Sequence, residues 1–140
     1  MRKSLLYYLL RIGALSALDR KQIRREGVVL IDQGISGTMT MRNFRAPGKH
    51  YGLRQSSFIG AIALSEKYLR CFIYRQTIVH VAWSDERVQR LAISAEADQS
   101  LLIGYDASSF QSEATGEIEL RFRTGMAKEL LAAFEAKVSG

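Results

Sequence analysis

After residue 26, the chain consists largely of runs of β-forming residues, and nearly all of these runs are joined by short links. The runs are rich in valine, isoleucine, threonine and aromatic residues, which are enriched in strands. In chain order they are GVVLIDQGISGTMTMRNF, SSFIGAIAL, YLRCFIY, IVHVAW, VQRLAIS, SLLIGYD and GEIELRFR. Short links join antiparallel neighbours, whereas parallel crossovers need about a dozen residues or more. The sequence therefore predicts an antiparallel sheet of about seven strands, the first run forming either one long bent strand or two strands.

The last run is followed by a segment with helical periodicity, for which Thr124 is a suitable N-cap. Its apolar residues fall on one face of the predicted helix: Met126, Leu130, Ala133, Phe134 and Val138. An antiparallel sheet of this size must curl or split to bury its apolar face, and a partly closed barrel has an open end. We therefore expect a mainly β fold with α-helices, a partly open barrel capped by this helix. Leu130 and Phe134 are its expected anchors, each contributing about 2–3 kcal/mol.

A chain of 140 residues is long enough to bury a core without disulfides, and Cys71 is its single cysteine. The predicted organisation is an N-terminal segment, residues 1–26, followed by a β-barrel domain, residues 27–140. The single cysteine fits a reducing compartment, so the expected location is the cytoplasm, with the inner face of the membrane as the alternative.

Positive charge is concentrated at the front of the chain. Residues 1–57 contain 11 Lys and Arg against 3 Asp and Glu, a net charge of +8. Residues 58–140 contain 9 against 11, a net charge of −2. This asymmetry indicates an anionic partner surface, which could be lipid, nucleic acid or an acidic protein.

The first residues, MRKSLLYYLLRIGALSAL, resemble a signal peptide, but Arg11 interrupts the apolar stretch and DRKQIRRE follows it. The stretch is also shorter than the roughly 20 residues that cross a bilayer. It predicts a basic amphipathic helix that contacts a membrane or a partner through Leu5, Leu9, Ile12 and Arg11. Packing on the domain or on a second subunit is the preferred interpretation; a helix in a membrane interface, or an unusual signal or anchor, is the alternative.

The segment IGAIALSEKYLRCFIY resembles the apolar strand and hairpin of bacterial pleckstrin-homology-like (PH-like) domains, close to the GRAM group. The next strand IVHVAW, the DERV loop and the terminal GEIELRFRTGMAKELLAAFEAKV are similar to the corresponding parts of that family. The resemblance covers about residues 27–138, with Ser65 and Tyr68 standing where the family pattern usually has threonine and arginine.

This resemblance implies a binding scaffold that has no cofactor and no catalytic activity. Members of the family often bind anionic headgroups through basic residues near the link between the first two strands. In this sequence the corresponding region is a loop at residues 42–54, and its basic residues are Arg42, Arg45, Lys49 and Arg54. They are the predicted contacts to an anionic surface.

The sequence contains none of the common catalytic or nucleotide-binding motifs. His80 alternates within a predicted strand, and Cys71 shares a strand face with Leu69 and Ile73, so we expect an edge or packed histidine and a buried, inert thiol. We predict no enzyme, no metal and no cofactor, and nothing resembles a nucleic-acid recognition motif. The preferred function is a protein-binding or self-associating adaptor; the alternative is a peripheral binder of anionic membranes that uses the N-terminal helix and the loop of residues 42–54.

Overall fold

The computed structural model describes residues 15–96 and 99–139. Helix α1 (Ala17–Glu26) precedes the strands, and helix α2 (Ala127–Ser139) follows them. The strands are β1 (Val28–Ala46), β2 (Lys49–Ser65), β3 (Tyr68–Ile73), β4 (Gln76–Ala82), β5 (Ala92–Glu96), β6 (Ser100–Asp106) and β7 (Thr115–Arg123). Two short 3-10 helices lie at Glu86–Arg90 and Ala107–Ser109. The seven strands form one antiparallel sheet in the order β4-β3-β2-β1-β7-β6-β5.

The sheet curls into a partly open barrel, as the sequence predicts. Neighbouring strands approach β1 and β2 most closely at Gly37 and Gly60. A Cβ atom at Gly60 would lie 2.1 Å from the Phe72 carbonyl oxygen, so only glycine lets the backbones approach so closely. The ring of Phe58 covers both glycines and meets Phe122 edge to face at 5.4 Å. Strands β4 and β5 are the two edges of the described sheet, so the barrel is open between them.

Helix α2 closes one end of the barrel, and the predicted anchors are confirmed. Leu130 is 1% exposed and Phe134 is 8% exposed, and the Phe134 ring meets the Trp83 ring at 5.8 Å. The Thr124 hydroxyl accepts a hydrogen bond from the Met126 amide at 3.0 Å and donates one to Asp32 at 2.6 Å. Thr124 therefore ties the start of this helix to β1.

Helix α1 packs on the outer face of the sheet, away from the main core. The Ser16 side chain caps it by accepting a hydrogen bond from the Asp19 amide at 3.1 Å. A separate apolar cluster holds it there: Leu15, Ile23, Ala61, Ala63 and Phe72, with Ile31 partly buried beside them. The predicted contacts Leu5, Leu9, Ile12 and Arg11 lie outside the described residues, and the division of the chain after residue 26 stays a prediction.

The structure corrects two sequence predictions and decides a third that the sequence left open. The first run forms a single strand, β1, with irregular pairing near residues 28–30 and 33–35. Residues 88–90 of the run VQRLAIS belong to a 3-10 helix, because the Asp85 side chain accepts a hydrogen bond from the Arg87 amide at 2.8 Å and starts a helical turn. The predicted loop at residues 42–54 is the second correction and bears directly on the site.

Candidate functional site

The predicted basic loop at residues 42–54 is wrong, because most of these residues are strand. Strand β1 continues to Ala46 and β2 starts at Lys49, so the turn is Pro47–Gly48. Pairing extends to the end of the hairpin, with Arg45 opposite His50 and Ala46 opposite Lys49. Proline and glycine therefore mark a tight turn here, and the residues around them form the tip of a long hairpin.

The hairpin separates the four predicted cations. Lys49 and Arg54 line one pocket of about 270 Å³, together with Tyr51 and Ser56. Arg42 lines a different pocket, and Arg45 is exposed. Neighbouring strand residues point to opposite faces of a sheet, so four basic residues that are close in sequence do not form one patch.

Arg42 lies among carboxylates. Its pocket, of about 330 Å³, is lined by Arg90 and by three acidic residues, Asp106, Glu117 and Glu119. Glu117 is directly opposite Arg42 in the register of β1 and β7. Because carboxylates outnumber guanidinium groups, this pocket does not favour an anion.

The pocket of Lys49 and Arg54 has the opposite electrostatic character. The residues that line it are Met41, Phe44, Lys49, Tyr51, Arg54, Ser56 and Gln111, which include two cations and no carboxylate. The Arg54 guanidinium lies over the Tyr51 ring, 4.7 Å from its centroid, and the Tyr51 ring stacks on Phe44 at 6.1 Å. Phe44 is 1% exposed, so this aromatic pair anchors Arg54 to the core. We call this site the basic pocket.

The same stretch of β2 has an unpaired backbone edge. Strand β1 pairs with β2 from Ala46 opposite Lys49 to Val28 opposite Ser65. Strand β3 pairs with the other edge of β2 only from Gly60 to Leu64. Within the described ranges, no strand pairs with that edge between Lys49 and Ser57, and all of these residues except Tyr51 are exposed. We call Lys49–Ser57 the open edge of β2.

A buried ion pair holds α1 on the outer face of the sheet. Glu26 is 6% exposed and Arg70 is 7% exposed, and their side chains form two hydrogen bonds, one of them 2.6 Å long from Arg70 Nη2 to Glu26 Oε2. The Ser65 hydroxyl also donates to Glu26, at 2.9 Å. Burial by itself raises the pKa of the Glu26 carboxyl, but the hydrogen bonds from Arg70, Ser65 and Gln22 outweigh burial and lower the pKa overall. This ion pair attaches a helix and has the character of a structural clamp.

Cys71 and His80, the two residues considered for catalysis, have different surroundings. Cys71 is fully buried, and burial raises the pKa of its thiol, as expected for an inert cysteine. His80 is exposed on the edge strand β4, where partial burial and the nearby Arg70 lower its pKa and its ring meets Tyr68 at 4.7 Å. In the part of the chain that the structure describes, no group of three or more histidine, cysteine or acidic side chains could hold a metal ion.

Comparison with known proteins adds no relative: no protein-family model, no curated protein and no solved structure gives a significant match to the chain. None of the helices among the described residues is long and apolar enough to cross a membrane.

Sequence reasoning missed several residues of the site. Gln111 comes from a segment far along the chain, and no local pattern connects it with the hairpin. Leu53 is 67% exposed, although an isolated leucine among strand residues usually predicts burial. The contact between Tyr51 and Arg54 could not be predicted either, because residues three positions apart point to opposite faces of a regular strand.

Proposed function

We propose that the chain is a non-enzymatic, PH-like adaptor that binds another protein through the open edge of β2. An extended segment of the partner would pair with Lys49–Ser57 as an added strand. The observation that carries this proposal is the asymmetric pairing of β2, which has β1 along its full length on one side but β3 only from Gly60 to Leu64 on the other. An unpaired strand edge is a ready template for another chain.

Charge on the open edge favours a different protein over a second copy. Lys49, His50 and Arg54 lie along it, and the segment contains no acidic residue. Two such edges paired with each other would bring together two segments of the same charge, which disfavours the pair. An acidic partner segment would instead gain from the same charges, both in its rate of encounter and in its specificity.

Two proline substitutions test the proposal. Successive residues of a strand turn their amides to opposite sides, so one of the amides of Gln55 and Ser56 points to the open edge and the other to β1. Proline removes the amide hydrogen, so one of Gln55→Pro and Ser56→Pro blocks strand addition while preserving the ladder to β1. The other variant weakens the ladder and serves as the matched control.

The probes are short peptides selected from a random display library on the full chain. We expect the selected peptides to shift the amide resonances of residues 49–57, and to lose binding to the proline variant whose melting temperature stays near that of the parent. The proposal fails if no peptide is selected, or if the peptides bind this variant as well as they bind the parent chain.

A second function, binding to an anionic membrane, is favoured by one exposed side chain. Leu53 is 67% exposed and stands next to Arg54, and an exposed apolar side chain beside a cation suits a membrane interface. Each basic residue near an anionic leaflet contributes roughly 1 kcal/mol. The test is flotation of the full chain with neutral and phosphatidylserine vesicles at low and high salt. Leu53→Ser should reduce flotation, whereas Val28→Ser, at a valine that is 47% exposed at the start of β1, is the matched control. Absence of flotation with either vesicle rules this function out.

A further inference from the structure

A second cavity lies beside the basic pocket, at the end of the barrel away from α2. It has a volume of about 230 Å³ and is mainly apolar, with Met39, Met41, Ile78, Tyr105, Phe110 and Ile118 among the residues that line it. The two pockets share Met41 and Gln111 among their lining residues, so they lie side by side, and we call the pair the groove. We call the second part of this groove the apolar pocket.

The apolar pocket is held in shape by one arginine. Arg87 donates a hydrogen bond to the Ser109 carbonyl oxygen at 2.7 Å, and its guanidinium lies 4.9 Å from the centroid of the Phe110 ring. Asp85 in turn pairs with Arg87 at 2.9 Å. These contacts connect the 3-10 helix after β4 to the 3-10 helix after β6, and they hold Phe110 at the wall of the pocket. The wall is therefore held by contacts within the chain, which lowers the ordering cost of binding.

The size of the apolar pocket limits what can enter it. Sites for small molecules generally have volumes of about 300–1,000 Å³, so a pocket of about 230 Å³ fits a single large side chain better than a whole ligand. The adjoining basic pocket offers Lys49 and Arg54 with no carboxylate among the residues that line it. An occupant of the whole groove therefore needs one apolar group and one anionic group close together.

An added strand on the open edge of β2 supplies such a pair. Alternate side chains of a strand point to the same face, about 7 Å apart. Tyr51, Arg54 and Ser56 of β2 all line the basic pocket, so the inner face of an added strand turns toward the groove.

We infer that this groove selects the partner's sequence: an extended segment in which an acidic residue and a large apolar residue stand two positions apart. The acidic side chain pairs with Arg54 and Lys49, and the apolar side chain fills the pocket between Met39, Ile78 and Phe110. This inference rests on the proposed strand addition, because that pairing sets the spacing. The four cations predicted from sequence thus have different roles, and Lys49 and Arg54 determine the specificity.

The test uses the peptides selected on the full chain from the random library. We expect an acidic residue and a leucine, isoleucine, methionine or phenylalanine two positions apart to be enriched. Replacing that apolar residue of the peptide by alanine should weaken binding about tenfold or more, because a buried apolar side chain is lost. Arg54→Glu should weaken binding at least as much, and a peptide carrying lysine in place of the acidic residue should regain affinity for this variant.

The matched control is Arg45→Glu, which makes the same charge change at the same hairpin tip outside the groove. It should leave the affinity within about twofold of the parent value, since surface substitutions away from a contact have small effects. Equal losses for Arg45→Glu and Arg54→Glu would overturn the inference, because general charge would then account for binding.

The inference and the proposed function can fail separately. Peptides that depend on the open edge in the proline test, yet show no preference for an acidic and an apolar residue, contradict the inference and leave strand addition standing. Octanoate, a short amphiphile with both groups, provides a further check. If octanoate binds in the groove and no peptide competes with it, the groove is a small-molecule site and the inference is wrong.

Discussion

The two halves of β2 share one strand and one neighbour, but their surroundings differ. From Phe58 to Ser65 every residue is buried, whereas from Lys49 to Ser57 all residues except Tyr51 are exposed. Both halves pair with β1. The buried half also pairs with β3 and has α1 packed on its outer face through Ile23, which is fully buried.

The comparison shows that pairing with a single neighbour does not bury a strand. Burial requires elements that cover its faces and its second edge: here β3, which follows directly after β2, and α1, which lies before β1. The exposed half keeps a free edge, a basic pocket and a neighbouring apolar pocket. The same strand is thus a buried structural element in one half and, under the proposed function, a recognition surface in the other.

The largest expected effect is on the clamp that holds α1 over the buried half. Arg70→Met leaves the Glu26 carboxylate buried without its cation, which should cost about 3–5 kcal/mol of unfolding free energy. Urea denaturation monitored by circular dichroism measures this loss. The double variant with Glu26→Met and Arg70→Met should recover most of it, because no charge then stays buried. A single variant as stable as the parent would show that the ion pair is not a clamp.

Leucines at the two ends of β2 allow a direct comparison of the halves. Leu64 is 1% exposed and Leu53 is 67% exposed. Leu64→Ala should lower the unfolding free energy by about 2–5 kcal/mol, because it removes buried apolar surface and leaves a cavity. Leu53→Ala should change it by no more than about 0.5 kcal/mol. Similar losses for the two variants, measured by thermal unfolding, would remove the distinction between the halves.

Glycines provide the same comparison for the backbone. A Cβ at Gly60 would meet the Phe72 carbonyl oxygen, whereas a Cβ at Gly52 would have no atom within 4 Å. Gly60→Ala should therefore destabilise the protein by about 1–3 kcal/mol. Gly52→Ala should be neutral or stabilise by up to about 1 kcal/mol, because it restricts the unfolded chain. A melting temperature for Gly60→Ala equal to that of the parent would mean that the backbones do not approach so closely at this glycine.

The smallest expected effect is a pH dependence from His80, which lies on β4 directly opposite Arg70 of the clamp. The pKa of His80 is lowered from its ordinary value of 6.5 by partial burial and by Arg70, so its protonation opposes folding. Stability should fall slightly as the pH drops below 6.5, and His80→Gln should remove this component. The Glu26 clamp is fully present above about pH 4.5 and is lost as the pH falls through the lowered pKa of that carboxyl. Thermal unfolding measured across this pH range reports both losses of stability. A pH profile of stability that His80→Gln leaves unchanged would contradict the prediction for His80.

The architecture was largely readable from the residues, because strand and helix periodicity are local properties. The run SLLIGYD is strand β6 from Ser100 to Asp106, and the period of α2 identified Leu130 and Phe134 as buried. The predicted loop around Pro47 and Gly48 failed, because these residues mark a turn in sequence but do not reveal how far the strands continue on either side.

The sequence by itself determined the elements, the antiparallel barrel and the basic character of the hairpin region. Only the tertiary structure decided that β3 stops at Gly60 on β2 and that α1 covers the adjoining face. It also placed Lys49 and Arg54 beside Ile78 and Phe110 and left Arg42 among carboxylates. The physical reason is the distance along the sequence over which each property is set. Periodicity depends on neighbouring residues. The length of an open edge and the lining of a pocket depend on segments that meet only after the chain has folded.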